Sequence, residues 1–407
     1  MTTTSTPNVQ FLEFDPFGDD FRANPDAFHQ QLLDISPGFM IMDGGTPSAY
    51  VATYEQCMQV LGNWELFSSV KPPGLPGMQR VDFFNSQPVM NYSDPPQHDR
   101  LRRVVNAAFA PGRVRMLAEA ADQIVDDLLD KFSDGQSIDA VEDIARPFAI
   151  KVLFDEFLGI SEPEDQKIFF DFVATFKLLD KLEPGDPKPR EYVEAWKKGE
   201  AYCRDALARA LRDKTDSLMG MIAAASETGT MSDAEMMAMV CVLFSGGVPT
   251  VSAMASSAVH YLAHNPEIAA RIRQDESLAK AFCEETYRID APVTMVMRFC
   301  TQDVEVGSAT IARGMPVYTM ISVANRDPAV YDNPLTFNID RKNMRHLAFG
   351  NGLHVCIGNA ITRMMLPKIV VQMARRFPQL CPDPSATCVW ETSPRSRHRA
   401  KAPVKIS

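Results

Sequence analysis

The sequence predicts a mainly α protein with a minor β component, organised as one large domain over residues 1–407. Three observations carry that reading. Helical periodicity recurs in long stretches between residues 97 and 289 and again over 357–377. Strand-like alternation is confined to short runs near 49–53 and 304–311. No Pro/Gly/Ser-rich linker, internal repeat or low-complexity tract divides the chain. Apolar residues make up 45% and charged residues 23%, so collagen-like and disordered classes are excluded and the length suffices for a large core. The formal charge of −11 speaks against a nucleic-acid binder.

Residues 1–12 are expected to be flexible and show neither the basic nor the apolar region of a secretion signal. Residues 63–95, rich in Pro, Gly, Phe and Met, have little periodicity and read as a substrate-binding loop. Helices follow at 97–110, 113–133, 139–158, 164–178, 190–213 and 216–226. A helix over 232–266 opens on a Ser232 cap and stops at Asn265-Pro266. It holds no Lys, Arg, Asp or Glu from Met236 to Pro266, long enough to span a bilayer. Gly246, Gly247, Pro249, several serines, His260 and His264 favour the buried core helix of a soluble protein instead. Another helix covers 277–289, short strands fall within 292–318, and 323–345 is irregular. Residues 346–377 form a glycine-rich loop and a long helix.

Eight cysteines include no CxxC pair, so a zinc knuckle or a dithiol redox motif is not indicated. One stands apart. In Phe349-Gly350-Asn351-Gly352-Leu353-His354-Val355-Cys356-Ile357-Gly358 three glycines, a Phe and a His surround Cys356 just before a helix. Glycine lets backbone approach a flat group or adopt φ > 0. A helix N-terminus favours thiolate. The same residues also admit a plain Gly-rich turn with a buried Cys, or a Cys nucleophile beside His354.

Phe-Gly-x-Gly-x-His-x-Cys-x-Gly resembles the haem-binding loop of the cytochrome P450 family, matching at all ten positions. The resemblance implies a cytochrome P450-like fold, haem b (iron protoporphyrin IX) as cofactor, and Cys356 as the axial thiolate ligand of its iron. An anionic sulfur pushes electron density to iron and favours O–O cleavage. Phe349 would shield the sulfur, and Gly350 and Gly358 would shape the loop. Three further segments test the likeness. Glu285-Thr286-Tyr287-Arg288 resembles the family's ExxR, with Arg341 in Phe337-Asn338-Ile339-Asp340-Arg341 as third member of a structural network; Ile339 stands where the family has Pro. His98 and Arg102 resemble the family's HxxxR; with Arg298 and His354 they would hold the haem propionates. Gly246-Gly247-Val248-Pro249-Thr250 resembles the distal oxygen-binding motif, with Thr250 as the catalytic hydroxyl. The family's acid, however, is replaced by Pro249. Proline should widen a kink, free a carbonyl near Ser245 for water, and leave Thr250 with ordered water to deliver protons.

The substrate pocket would draw on Phe83, Phe84, Val242, Ser245, Gly246, Val293, Thr294, Met295 and Val296, with Met78, Phe169, Phe172 and Phe176 nearby. Such an apolar, Phe- and Met-rich set suits a small hydrophobic compound, terpenoid or alkyl-aromatic. The expected activity is insertion of one oxygen atom from O2, with electrons from NAD(P)H through an iron–sulfur ferredoxin and its reductase. The chain itself is expected to bind no flavin or nicotinamide, no nucleic acid and no membrane. It should be cytoplasmic and monomeric. Arg341, Lys342, Arg345, Arg100 and Arg103 offer a basic patch for an acidic ferredoxin. Pro249 leaves two alternatives open: a peroxide-using enzyme and a non-enzymatic haem-thiolate binder or sensor.

Overall fold

The computed structural model describes residues 12, 18, 20–21, 24–42, 46–72, 83–84, 87–179, 182, 186–213, 217–227, 229–393 and 396–406. The expectation for the first twelve residues falls almost wholly outside these, as do Met78 and most of the tip of the 63–95 segment. The chain is 57% helical and 12% strand, which agrees with the mainly α reading. Contacts group it into two compact units, each assembled from separated stretches.

Unit one holds residues up to Met78, Ala281–Cys356 and Val389–Ala400. Its five-stranded sheet runs in the order Gly38–Met42, Thr46–Val51, Pro316–Thr319, Val296–Cys300, Phe67–Ser68. Only the Thr46–Val51 and Pro316–Thr319 pair is parallel. Alternation along the strands feeds two cores. Ala49, Val51, Cys300 and Val317 pack with Val60 and Leu61 on one face, and Met40, Tyr50, Met297, Phe299 and Tyr318 pack together on the other. The predicted short strands are present as Val304–Val306 and Ala309–Ile311, turning at Gly307 with φ +56°. The helix Tyr54–Gly62 was not expected; Thr53 Oγ1 caps it by accepting from Gln56 N at 3.3 Å. The predicted 277–289 helix is Leu278–Ile289.

Unit two, Gln79–Lys280, Ile357–Cys388 and Lys401–Ser407, carries most of the helices. They include Gln97–Asn106, Pro111–Leu129, Pro163–Ala174, Arg190–Asp213, Leu218–Glu227, Asp233–His264 and Asn359–Arg376. The predicted 139–158 helix is wound wider than an α-helix at both ends, over Ala140–Ala145 and Lys151–Leu158, around an α-helical Arg146–Ile150. Asp233–His264 packs against this segment and against Asn359–Arg376. It is apolar and long enough to cross a membrane, but 67% of its most apolar window is buried inside the protein, as expected of a core helix. Pro249 sits inside it without ending it, so the helix continues through the site of the expected kink.

The helix begins with a reciprocal cap. Ser232 Oγ accepts from Glu235 N at 3.3 Å, and Glu235 Oε2 accepts from Ser232 N at 2.9 Å. Arg100 reinforces it, bonding the Glu235 carboxylate and donating to Thr230 O at 2.7 Å. Burial raises the Glu235 pKa, but the bonds from Arg100 and Ser232 outweigh it and hold it below the usual carboxylate value. A depressed folded pKa stabilises the protein at neutral pH, and that contribution is lost as pH falls through the glutamate range. Ser232→Ala should therefore cost about 1 kcal/mol in denaturant unfolding at pH 7. For Glu235→Gln, the deficit relative to wild type should shrink as the same titration is repeated at progressively lower pH.

Candidate active site

In unit one the Cys356 loop is shaped by backbone hydrogen bonds and two left-handed glycines. Gly350 N donates to Leu347 O at 2.8 Å, Cys356 N to Phe349 O at 2.8 Å, and Val355 N to Gly352 O at 3.1 Å. Gly350 has φ +71° and Gly352 φ +69°, a region other residues rarely occupy. A Cβ on Gly352 would also stand 2.5 Å from Leu61 O. Phe349 is buried and meets Tyr287 edge-on, with ring centroids 5.3 Å apart. Cys356 itself is exposed, and Gly358 caps the helix Asn359–Arg376 that follows.

Cys381 is exposed as well and Cys388 half-buried, but the other five thiols differ. Cys57, Cys203, Cys241, Cys283 and Cys300 are buried. Burial pushes all five up, to about 12 for Cys203 and Cys300, so they stay protonated hydrophobes.

Glu285, Arg288 and Arg341 come together. Glu285 is 0% and Arg288 1% exposed. Arg288 grips the carboxylate bidentately, Nε to Oε2 at 2.7 Å and an Nη to Oε1 at 2.8 Å, while Arg341 Nε donates to Oε1 at 2.8 Å. Asn338 N adds a bond to Oε1 at 2.9 Å. The remaining guanidinium donors reach carbonyls: Arg288 bonds Asn325 O at 2.8 Å and Pro334 O at 2.9 Å, and Arg341 bonds Asn333 O at 2.9 Å and Thr336 O at 2.6 Å. Ile339, in the position of the family's Pro, is buried in this stretch.

Arg298 lies in the strand Val296–Cys300, opposite Val317, buried and donating to Met297 O at 2.9 Å. His354 Nε2 is 2.9 Å from Ser69 Oγ, a fully buried partner that no sequence pattern singled out. Val293 bridges Ser396, Thr294 O accepts from Ser322 N at 3.1 Å, and Val296 O accepts from Thr319 Oγ1 at 3.0 Å. Met295 packs into the sheet core with Met297 and Tyr318, whereas Val296 packs on the opposite face. Met295 and Val296 of this segment thus face opposite sides of the sheet.

In unit two His98 is buried, with Nδ1 2.9 Å from Asp99 Oδ1, and Arg102 is partly exposed one turn further on. The middle of Asp233–His264 departs from its buried surroundings: Gly246 and Pro249 are exposed, and Leu243, Ser245, Gly247 and Thr250 partly so. Spacings of three and four place Leu243, Gly246, Pro249 and Thr250 along one face. A Cβ on Gly246 would meet nothing within 4 Å. Val242 is buried. Thr250 Oγ1 donates back to Gly246 O at 2.6 Å, with Gly247 O at 3.1 Å. Phe83 stacks on Phe176 with centroids 4.6 Å apart, and Phe84 meets Phe176 and Tyr92. Phe169 and Phe172 are 1% exposed and belong to the core.

The expected basic patch loses two members. Arg341 is only 6% exposed and committed to Glu285, and Arg100 is committed to Glu235. Lys342, Arg345 and Arg103 are exposed.

These donors fit a haem. In unit one an exposed thiol on a glycine loop, a buried Arg298 and a hydrogen-bonded His354 offer the ligand and donors for propionates. Within unit two, the small-residue face at Gly246 leaves open space beside the helix.

Comparison with known proteins agrees. Residues 10–392 match the sequence family described as Cytochrome P450. The chain is 29% identical over 372 residues to Cytochrome p450 CYP199A2 of Rhodopseudomonas palustris, covering 90% of this chain and 88% of that protein. It is 31% identical over 397 residues to Nocardicin C N-oxygenase of Nocardia uniformis, covering 93% of each. It is 28% identical over 410 residues to the monooxygenase PikC of Streptomyces venezuelae, covering 99% of this chain and 95% of PikC. The solved structure of CxnD, a cytochrome P450 enzyme for C–S bond formation in chuangxinmycin biosynthesis, superposes with a TM-score of 0.86 at 25% identity, covering 98% of both chains. Relatives named as oxygenases do not favour the peroxide-using or non-enzymatic alternatives.

Glu285→Gln would leave two buried guanidiniums facing a neutral amide. It should cost about 3–5 kcal/mol, read as a loss of soluble yield and a lowered unfolding midpoint. Gly352→Ala should lower the fraction of protein recovered with haem, measured as Soret absorbance per protein.

Proposed function

The chain belongs to the cytochrome P450 family and is a monooxygenase, and from that premise we propose that it inserts one oxygen atom from O2 into a small hydrophobic substrate such as a terpenoid or an alkyl-aromatic. The observation that carries the proposal is the exposed Cys356 thiol, set on a turn with two left-handed glycines. When bound, haem b supplies the iron that activates O2. Cys356 would give that iron its sulfur, Phe349 shielding one side, with Arg298, His354, His98 and Arg102 neutralising the propionates. The whole chain is taken as one haem domain.

Proton delivery falls to the middle of Asp233–His264. Pro249 has no N–H, so Ser245 O receives no helical bond from it and is available to a water. The Thr250 hydroxyl rests on Gly246 O at 2.6 Å. To donate elsewhere it must give up that bond or pass its proton along a water held by the same carbonyls. With no carboxylate at position 249, this relay lacks the acid that would recharge it. Electrons would come from NAD(P)H through a ferredoxin and its reductase. Lys342 and Arg345, both exposed on unit one, support an acidic partner.

The test is reductase-driven, O2-dependent oxidation of a hydrophobic compound chosen for displacing water from ferric iron. Wild type should form product and give a reduced carbonyl complex with the red-shifted band of thiolate ligation. Cys356→Ser should lose both; a serine variant that keeps the band or the product contradicts the proposal. Pro249→Asp should raise product formed per NAD(P)H consumed, and an unchanged or lower ratio would show that the missing acid is not limiting.

A further inference from the structure

Unit one contains a second group of charged side chains, none of them in the Cys356 loop. Asp26 and His29 come from the N-terminal part, and Asp290 follows the helix Leu278–Ile289. Arg326 follows the short helix Ile321–Ala324. Trp390, Arg397 and Arg399 belong to the hairpin Val389–Ser393/Ser396–Lys401. Arg397 and Arg399, two apart on one strand, share a face. Both lie over the Trp390 ring, 3.7 Å and 4.4 Å from its centroid. Arg399 is paired with Asp290, their side chains 2% and 7% exposed. Arg326 donates to Ser322 O at 3.0 Å and Ile289 O at 2.6 Å.

The charges do not balance. Among the described residues three guanidiniums face two carboxylates, and one of these, Asp26, is 52% exposed and 3.8 Å from Arg326. His29 cannot compensate. Burial first, and Arg326 next, lower its pKa to about 3, so it is neutral at any working pH. Its Nδ1 lies 3.5 Å from Asp26 Oδ1, too long for a good hydrogen bond. His29 is 5% exposed, and both of its ring nitrogens and Arg397 Nε are buried without a hydrogen-bond partner. A purely structural ion cluster satisfies its donors and pairs its charges. This one has surplus positive charge and unmet donors in the same place, a combination that selects an anionic acceptor. A guanidinium held over an indole is restrained by it, and its planar fork matches a carboxylate.

We propose that Arg397, His29 and Arg326 form a binding site for a small carboxylate, with the Arg397 fork as its main donor. The site is linked through the backbone to the 292–294 segment. Arg397 N donates to Pro292 O at 3.0 Å, and the neighbouring Ser396 bridges Val293.

The test titrates the holoenzyme with sodium acetate, and with sodium chloride at matched ionic strength, following tryptophan fluorescence, haem absorbance and thermal unfolding. Acetate should produce a saturable fluorescence change that Trp390→Phe abolishes, and should raise the unfolding temperature. Arg397→Gln should weaken acetate at least tenfold. Its anion-free unfolding temperature should be no lower than that of wild type, because it removes one of three like charges. Asp26→Asn, which removes the nearest competing acceptor, should tighten acetate. The proposal fails on any of four results: no saturable response, an equal response to chloride, an undiminished response in Arg397→Gln, or a response in the haem absorbance with Trp390 silent, which would place the acetate at the iron.

Discussion

A single carboxylate with no access to water organises unit one. Glu285 holds two guanidiniums, and burying one charge against two is unfavourable unless every spare donor finds an acceptor. The acceptors are main-chain carbonyls of Asn325, Asp332, Asn333, Pro334 and Thr336. That explains how a long stretch with almost no regular secondary structure can be ordered. Its carbonyls are paired with arginine rather than with a ladder. The bonds continue toward the sulfur: Asn325 Oδ1 accepts from Leu347 N at 2.7 Å, Leu347 O from Gly350 N, and Phe349 O from Cys356 N. Tyr287, between Glu285 and Arg288 in sequence, meets Phe349 edge-on. The thiol is therefore placed by a chain of short bonds that begins at one buried acid.

In Asp233–His264 the constraint is a backbone one. Proline removes a donor at 249, yet the helix continues, because tertiary packing on both sides of the gap supplies what one hydrogen bond does not. The Thr250 hydroxyl donates to the carbonyls three and four residues back, a bond that competes with the helical ladder and loosens it locally. Around Pro249 the helix thus stays continuous and presents an exposed face at Gly246 and Pro249.

The sequence made legible whatever depended on near neighbours. The ten-residue Cys356 loop, the Glu285–Arg288 spacing and the Ser232 cap are local patterns with local physics. Pairings between distant segments were not legible. The sheet joins residues near 40, 50, 67, 298 and 317, and strands this short carry too little alternation to be seen singly. Charge failed as a guide for the same reason. Arg100 reads as a surface cation until the structure shows a carboxylate 135 residues away in sequence, and Arg341, 56 residues from Glu285, was tied to it only through the family resemblance. The helix Tyr54–Gly62 did have a signal, since Thr53 and Gln56 stand at capping-box spacing and Gly62 closes it.

Ser69 shows how a distant partner changes the chemistry of a motif residue. It is 285 positions from His354 and fully buried, so its hydroxyl and the imidazole Nε2 depend on each other. If the hydroxyl donates, Nε2 is the acceptor and the proton of a neutral ring sits on Nδ1, which is then a donor. If Nε2 donates instead, Nδ1 becomes an acceptor and repels a carboxylate unless the ring takes up a second proton. A propionate at His354 thus requires Ser69 to act as donor or the imidazole to be charged. The family motif specifies the histidine, but a serine outside the motif sets which of its nitrogens can do the work.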